Sequence, residues 1–191
     1  MDAVAGDAEP DVNHGRDGEG LTLLVGQLVR SPEGLSLAFD LAVRGFRESD
    51  LPHTVIDIGS AQGDRRVGAF NVRRGLEVLI SLGRYYRNLP WARRVYLAVG
   101  ISRVGFLRDL LMIWPASLLR RRVVVHVHSG GYGDFYSAQP TWLRAVIRVT
   151  MGRADTVIVL GDLLRPQFAF LRNADRLLRV VPNGLPADLP A

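Results

Sequence analysis

The order of apolar runs along the chain constrains its fold more than any other feature. Six short runs rich in valine, isoleucine and leucine have the length of buried strands, and segments with helical spacing separate them. The predicted strands occupy residues 21–29, 53–58, 95–99, 123–128, 155–160 and 177–181. The predicted helices occupy residues 35–47, 71–88, 104–119, 141–151 and 162–171, with Asn71 able to cap the second of them. Strands alternating with helices favour crossover connections, so we predict a Rossmann-like α/β domain whose mainly parallel sheet carries helices on both faces.

Charge divides the chain into an acidic start and a basic body. Residues 1–20 carry six acidic side chains against one arginine, with several glycines and almost no large apolar residue. Such a segment cannot repay its ordering entropy, so we expect a disordered tail. Residues 21–191 carry 23 arginines against 13 acidic side chains, which indicates an anionic partner: sugar-nucleotide phosphate, lipid headgroup or nucleic acid. The case for a nucleic-acid partner would rest on net charge alone, because the sequence contains no recognised nucleic-acid-binding module. We expect no nucleic-acid partner.

Two missing residue types exclude several kinds of chemistry. The chain contains no cysteine, so thiol nucleophiles, zinc-thiolate sites and iron–sulfur clusters are excluded. It contains no lysine, so Schiff-base chemistry and the lysine of a P-loop are excluded as well. The loop after residue 29 lacks the Gly-x-Gly-x-x-Gly pattern of dinucleotide-binding domains. We therefore expect no cofactor.

The most apolar segment, residues 104–119, leaves two interpretations open. It is too short for a membrane span and contains Arg108, Asp109 and Pro115. It is either a crossover helix packed on the core or a helix lying at a membrane interface beside the arginines of residues 120–122. For the first interpretation we expect Leu107, Leu110 and Leu111 to be buried, with weak, salt-sensitive attraction to anionic membranes. The expected location is the cytoplasm, including the inner face of the membrane.

The strongest candidate site follows the fourth predicted strand. His126 and His128 lie two residues apart, so their side chains share one face of the sheet. The glycine-rich loop Ser129-Gly-Gly-Tyr-Gly133 follows at the carboxyl end of the strand, where ligands of such sheets bind. The three glycines suggest backbone close to a ligand near His128, whereas His126 is deeper and is interpreted as a core residue. A metal site would need further ligands, and we expect none.

These residues resemble landmarks of the family 4 glycosyltransferases, specifically their amino-terminal half. The resemblance spans residues 21–186 and rests on four motifs. They are the apolar first strand with its glycine-bearing loop, His-x-His-x-Gly-Gly at 126–131, the run at 154–160, and Val-Val-Pro-Asn-Gly at 180–184. The family has the GT-B fold, in which two Rossmann-like domains face each other across a cleft. The first binds mostly acceptor and the second mostly nucleotide sugar.

The resemblance also implies roles for individual residues. His128 matches the histidine beside the reacting sugar, and Gly34 matches the loop whose amide faces the donor phosphates. The other predicted substrate-binding residues are Ser129, Gly130, Gly131 and Asn183, which we expect to gather with Gly34 beyond the carboxyl ends of the strands. One departure concerns Gly34, because the family often has two adjacent glycines at that position. Another is the absence of the family's paired glutamates, which belong to the second domain; the last glutamate here is Glu77.

The resemblance therefore implies a glycosyltransferase domain at residues 21–184, followed by a linker stub at 185–191. We expect the acceptor-side domain of a retaining enzyme of surface polysaccharide or glycolipid synthesis, inactive alone. Its partners would be a nucleotide sugar, a sugar or lipid-linked acceptor, and a separate second-domain chain, unless the protein is a remnant. The alternative is a module that binds a nucleotide or phosphosugar without catalysis.

Overall fold

The computed structural model of the protein describes residues 20–28, 34–59 and 72–182. These residues contain one sheet of six strands, every one parallel to its neighbours. The strands are β1 (Thr22–Gly26), β2 (His53–Asp57), β3 (Arg94–Val99), β4 (Arg122–Val127), β5 (Thr156–Val159) and β6 (Leu178–Val180). Their order across the sheet is β2-β1-β3-β4-β5-β6. The predicted six-stranded parallel α/β fold is confirmed.

Six α-helices connect the strands. They are α1 (Gly34–Glu48), α2 (Val72–Asn88), α3 (Arg103–Leu118), α4 (Tyr132–Ser137), α5 (Thr141–Met151) and α6 (Ala174–Leu177). The short helices α4 and α6 and the 3₁₀ turn Leu89–Trp91 were not predicted. The helix predicted at residues 162–171 is instead a 3₁₀ helix, Asp162–Phe168. Pro166 lies inside it, and proline lacks the N–H that a regular α-helix needs there.

The strand order places the helices on opposite faces of the sheet. The chain moves one way from β1 to β2, then back across β1 to reach β3, so right-handed connections put α1 and α2 on different faces. Phe39 and Val43 of α1 pack with Leu24, Tyr96 and Ala98 on one face. The larger core on the other face includes buried residues of α2, α3, α4 and α5. Helices therefore cover both faces, as predicted, but unequally.

The rotation of α3 differs from the prediction. Leu107 is 58% exposed and Leu111 is 40% exposed, whereas Leu110 is partly buried against the core. The buried side is formed by other residues: Phe106, Asp109, Met112, Ile113 and Ala116. The expectation for Leu107 and Leu111 was wrong because the helix is apolar nearly all round, so spacing does not determine which side faces inward.

An acidic residue lies on the inward side of α3. Asp109 is buried and forms an ion pair with Arg108, whose Nη2 is 2.7 Å from Asp109 Oδ1. Burial raises the pKa of this carboxyl, and the arginine opposes that effect. The buried carboxylate is therefore paired with the arginine at the preceding position in the chain.

Helix α2 also presents apolar side chains outward. Leu76, Leu79 and Ile80 are 50–65% exposed, while Leu82 and Tyr85 face the core. The Tyr85 hydroxyl donates to the Met112 carbonyl of α3 at 2.7 Å, so the two helices lie side by side. No helix in the described part of the chain is long and apolar enough to cross a bilayer.

Several sequence predictions concern residues outside the described ranges. The acidic tail, apart from Gly20, lies there, as does the proposed capping residue Asn71. Asn183 and the linker stub at residues 185–191 also lie outside.

Candidate functional site

The histidine pair lies at the carboxyl end of β4. Val123, Val125 and Val127 face the larger core, so the alternation of the strand points His126 to the face that carries α1. His126 is 8% exposed, and His128, just beyond the strand, is half-buried. The two rings contact each other with centroids 3.8 Å apart and planes inclined by 32°. The predicted shared face and the deeper position of His126 are both confirmed.

Tyr96 of β3 is the residue that fixes His126. Its hydroxyl lies 2.6 Å from His126 Nδ1, and the two rings meet edge to face. Sequence reasoning missed this tyrosine, although it is the only aromatic residue in a strand of otherwise aliphatic and arginine residues. The contact requires the register that places Ala98 beside His126, and that register is visible only in the folded sheet.

Burial keeps His126 neutral. Burial, and secondarily the charge of His128, lowers the pKa of His126 to about 3. Burial also raises the pKa of Tyr96, so its hydroxyl keeps its proton. Nδ1 either accepts from that hydroxyl or donates to it, depending on the tautomer. Nε2 has no hydrogen-bond partner among the described residues, so His126 is a core residue that is satisfied on one nitrogen only.

The glycines of the following loop fall into two groups. A Cβ on Gly130 would lie 3.7 Å from Leu164, and one on Gly131 would lie 3.5 Å from Ile101, both ordinary contacts. Neither glycine has a positive φ angle, so neither packing nor backbone conformation requires glycine there. Gly133 differs, because a Cβ would lie 3.3 Å from Gln167, whose Oε1 accepts from the Gly133 N–H.

Ser129 shapes the loop. Its Oγ accepts a hydrogen bond from the N–H of Gly131 at 3.1 Å, which closes a tight turn between β4 and α4. Beyond the turn, the buried Tyr132 stacks on Phe168 at 5.1 Å and anchors the loop to the core. The loop is therefore held at both ends, with Gly130 and Gly131 between them.

The remaining predicted site residues lie at the same edge or outside the described residues. Gly34 begins α1, after the carboxyl end of β1. Only β3 separates β1 from β4, so two strand spacings, about 10 Å, separate that edge position from His128. Asn183 follows the last described residue, two positions after Val181, and its geometry is not described.

The strand order contains a topological switch point that the sequence did not indicate, and in such sheets a switch point lies beside a ligand crevice. The chain reverses direction across the sheet between β1 and β3, and in open α/β sheets such a switch point is where ligands bind. At this edge Asp57, the last residue of β2, accepts from the N–H groups of Gly59 at 2.8 Å and Leu28 at 3.3 Å. It thereby ties the loops after β1 and β2 together. The histidine pair lies one strand to the side of this crevice.

The described residues include no group of three or more histidine, aspartate or glutamate side chains placed to hold a metal ion. What the carboxyl end of β4 does offer is a set of hydrogen-bonding groups: a neutral imidazole, a second imidazole in contact with it, and a loop whose two glycines carry no side chain. Such groups suit hydrogen bonding to sugar hydroxyls or to a nucleobase.

Comparison with known proteins supports the fold. No model of a known protein family matches the sequence, and no curated protein matches it. Among solved structures, the chain is similar to HepE of Anabaena, determined in complex with UDP and glucose. The TM-score is 0.50 with 18% sequence identity, over 87% of this chain and 45% of HepE. At this identity the likeness shows the fold alone, and the chain spans less than half of that protein.

A second solved structure is a 2-deoxyribosyltransferase from Bacillus psychrosaccharolyticus. It is 13% identical over 86% of this chain and 99% of its own, with a TM-score of 0.40, too low to support a common fold. The comparisons therefore establish an α/β architecture shared with a protein that binds UDP and glucose. Membership of glycosyltransferase family 4 is not confirmed.

Proposed function

We propose that this chain is the acceptor-side domain of a retaining glycosyltransferase that uses a nucleotide sugar. The observation that carries the proposal is the His126–His128 pair at the carboxyl end of a central strand, beside two glycines that packing does not require. The chain also shares its fold with a protein solved in complex with UDP and glucose. The motifs at residues 126–131 and 180–184 are the further support.

In this proposal the two histidines have different roles. His128 lies just beyond β4 with both ring nitrogens buried, so its ring would have to turn outward to hydrogen-bond a hydroxyl of the reacting sugar. His126 lies beneath it, held by Tyr96, and supports its ring by direct contact. Because the pKa of His126 is about 3, this side chain would not exchange protons near neutral pH. Gly130 and Gly131 would let backbone amides approach the ligand.

Transfer itself would need a second domain. The reaction breaks the bond between the anomeric carbon and the nucleotide diphosphate and forms a bond from that carbon to the acceptor oxygen. The diphosphate must be held in line and its charge neutralised, and one half of a cleft does this poorly. We therefore propose that a separate chain or domain with the family's glutamate pair completes the enzyme in surface polysaccharide or glycolipid synthesis.

A lipid-linked acceptor fits the surface of the domain. Leu76, Leu79 and Ile80 of α2 and Val104 and Leu107 of α3 are all at least half exposed, on two helices that pack side by side. Exposed apolar side chains on adjacent helices are a common feature of membrane-facing surfaces. The proposed location is therefore the cytoplasmic surface of a membrane.

Ligand binding by the full chain tests the site directly. Saturation-transfer NMR with nucleotide sugars and free sugars should detect binding, and His128→Ala should weaken it at least tenfold with little change in thermal stability. His53→Gln is the matched control, because His53 begins β2 at the opposite end of the sheet. It should leave binding unchanged. Equal binding by His128→Ala would remove this residue from the site.

The same ligands separate the enzyme from the simple binding module. Release of nucleotide from each nucleotide sugar is measured with the chain alone and with a candidate second-domain chain added. We expect turnover only in the mixture, and we expect His128→Ala to abolish it. Robust turnover by the chain alone would contradict the half-enzyme proposal. Tight nucleotide binding without transfer in any mixture would favour the module.

A further inference from the structure

A second polar region lies at the opposite end of β4 from the histidines. A cavity of about 610 Å³ opens where α3 ends, β4 begins and α5 leads into β5. Its lining consists of Ser117, Arg120, Arg121, Arg122, Arg153 and Asp155. Strand β4 runs from Arg122 to Val127, so its length of about 20 Å separates this cavity from the histidine pair. The cavity and the candidate sugar site are therefore distinct.

The cavity has a large excess of positive charge. Four of its side chains are guanidinium groups, and its one carboxylate, Asp155, already accepts the Val123 N–H at 2.7 Å. Within the described residues, none of the four arginines takes part in an ion pair. The Nε atoms of Arg121 and Arg153 are buried, and among those residues they have no hydrogen-bond acceptor. Buried donors without an acceptor are costly, so these two add to the uncompensated positive charge around the cavity.

Two of the arginines are held in position by the protein. The Arg153 guanidinium lies 3.9 Å above the ring of Trp114, whose Nε1 donates to the fully buried Thr150 at 3.0 Å. Arg121 donates from Nη2 to the Pro90 carbonyl at 2.9 Å. A stacked guanidinium and a tethered one lose less freedom when a ligand arrives, which favours binding.

Stabilisation of helix ends does not account for this arrangement. Arginines that follow a helix complement the negative end of its dipole, and α3 and α5 both end near the cavity. The last carbonyls of α3 are already capped by backbone, however. The N–H groups of Leu119, Arg120 and Arg121 donate to Pro115, Ser117 and Ala116. The helix-end effect explains the sign of the charge but not the convergence of four side chains on one cavity.

We propose that this cavity binds a phosphate group, as a phosphate monoester or a diphosphate. Planar guanidinium groups match phosphate oxygens in pairs of parallel hydrogen bonds, and the volume accommodates a diphosphate. The phosphate belongs either to a free anion or to a phospholipid headgroup. Leu118 and Leu119, 68% and 48% exposed, lie in the chain between Ser117 and Arg120 at the edge of the cavity.

Calorimetric titration of the full chain with inorganic pyrophosphate tests the site. We expect saturable binding that weakens at least tenfold in the double variant Arg121→Gln/Arg153→Gln. The control Arg84→Gln/Arg148→Gln removes the same charge from exposed positions on α2 and α5, and it should change affinity less than twofold. Equal losses in the two variants would reduce the effect to net charge and overturn the proposal.

A second variant protects the test from misfolding. Arg153 packs on Trp114, so its replacement can lower stability, whereas Arg120 and Arg122 are exposed. Arg120→Gln/Arg122→Gln should keep the wild-type melting temperature within a few degrees and still weaken pyrophosphate binding. Wild-type affinity in this variant, together with wild-type affinity in a folded Arg121→Gln/Arg153→Gln protein, would overturn the assignment.

Vesicles distinguish the two sources of phosphate. Phosphatidylcholine vesicles are prepared with phosphatidic acid or, at equal surface charge, with phosphatidylglycerol. Selective binding to phosphatidic acid, displaced by pyrophosphate and lost in the cavity variants, would assign a lipid monoester. Pyrophosphate binding without that selectivity would assign a free anion. Absence of pyrophosphate binding together with equal binding to both vesicles would overturn the proposal.

Discussion

The two ends of β4 differ in chemistry although six residues connect them. At the carboxyl end, His126 and His128 stack beside glycines, and the deeper histidine is neutral. At the amino end, four arginines line a single cavity. The carboxyl end offers hydrogen bonds without fixed charge, which suits hydroxyl groups, whereas the amino end offers fixed charge, which suits phosphate. One strand thus joins a candidate sugar site to a candidate phosphate site.

The largest expected effect is a pH dependence of stability that comes from His126 at the carboxyl end. His126 has a pKa of about 3 in the fold and about 6.5 when unfolded. As pH falls below about 6.5, the unfolded chain binds a proton that the folded chain does not. Stability is therefore lost between about pH 6.5 and pH 3, by up to about 1.4 kcal/mol per pH unit.

Urea unfolding at several pH values measures the effect, and His126→Gln isolates it. The slope for wild type between pH 6.5 and 5 should exceed that of His126→Gln, while carboxylate titration is common to both proteins. His128→Gln should keep most of the slope, because burial is the larger cause and the charge of His128 the smaller. Parallel pH profiles for wild type and His126→Gln would show that the buried imidazole takes up protons as readily as in water.

The second prediction compares two glycines at the carboxyl edge of the sheet: one that packing requires, and one beside the proposed ligand. A Cβ on Gly26 would lie 2.3 Å from the ring of the fully buried Phe39, so Gly26→Ala should cost about 1–3 kcal/mol. In Gly131→Ala the added Cβ would make only ordinary contacts, and the backbone there has φ −101° and ψ 17°. The substitution should therefore change stability by less than about 0.5 kcal/mol.

Thermal unfolding of both variants, followed by sugar-binding measurements, completes this comparison. We expect the Gly131→Ala protein to remain stable and to bind sugar more weakly, because the added methyl group would occupy space that the proposed ligand needs. A stable Gly131→Ala protein with full binding would leave the loop glycine without a functional role. A stable Gly26→Ala protein would show that α1 can shift away from β1.

The fold could be predicted because each strand corresponds to a short stretch of consecutive residues in the sequence. Each strand is a short apolar run, and parallel strands buried on both faces need such runs whatever lies beside them. The positions of His126 and His128 on one face followed from the two-residue period of a strand. These conclusions need no knowledge of contacts between distant residues.

What the sequence did not show depends on contacts between distant segments. Tyr96 reaches His126 only through the register of β3 and β4. The arginines at residues 120–122 were visible as a run, but Arg153 and Asp155 join them only after α5 has folded back. The outward face of α3 was not predictable either, because a helix that is apolar nearly all round does not reveal its buried side in the sequence.

The smallest expected effect tests the charge at the amino end. Arg94 and Arg122 are register partners at the start of β3 and β4, and both are exposed. Like charges in adjacent positions repel, so Arg94→Glu should stabilise the protein by up to about 1 kcal/mol at low salt. Arg94→Gln, which removes the repulsion without adding an attraction, should give about half that gain. Chemical unfolding at low and high ionic strength measures both.

The salt dependence of this gain in stability, together with pyrophosphate affinity, shows whether the gain comes from the arginine cluster. Screening should remove most of it at about 1 M salt, where the Debye length is about 3 Å. The new carboxylate would also compete with phosphate for Arg122, so Arg94→Glu should bind pyrophosphate more weakly than Arg94→Gln. A gain that persists at high salt, or unchanged pyrophosphate affinity, would show that Arg94 does not share the field of the cavity. The positive charge that distinguishes the amino end of β4 would then be confined to the residues that line the cavity.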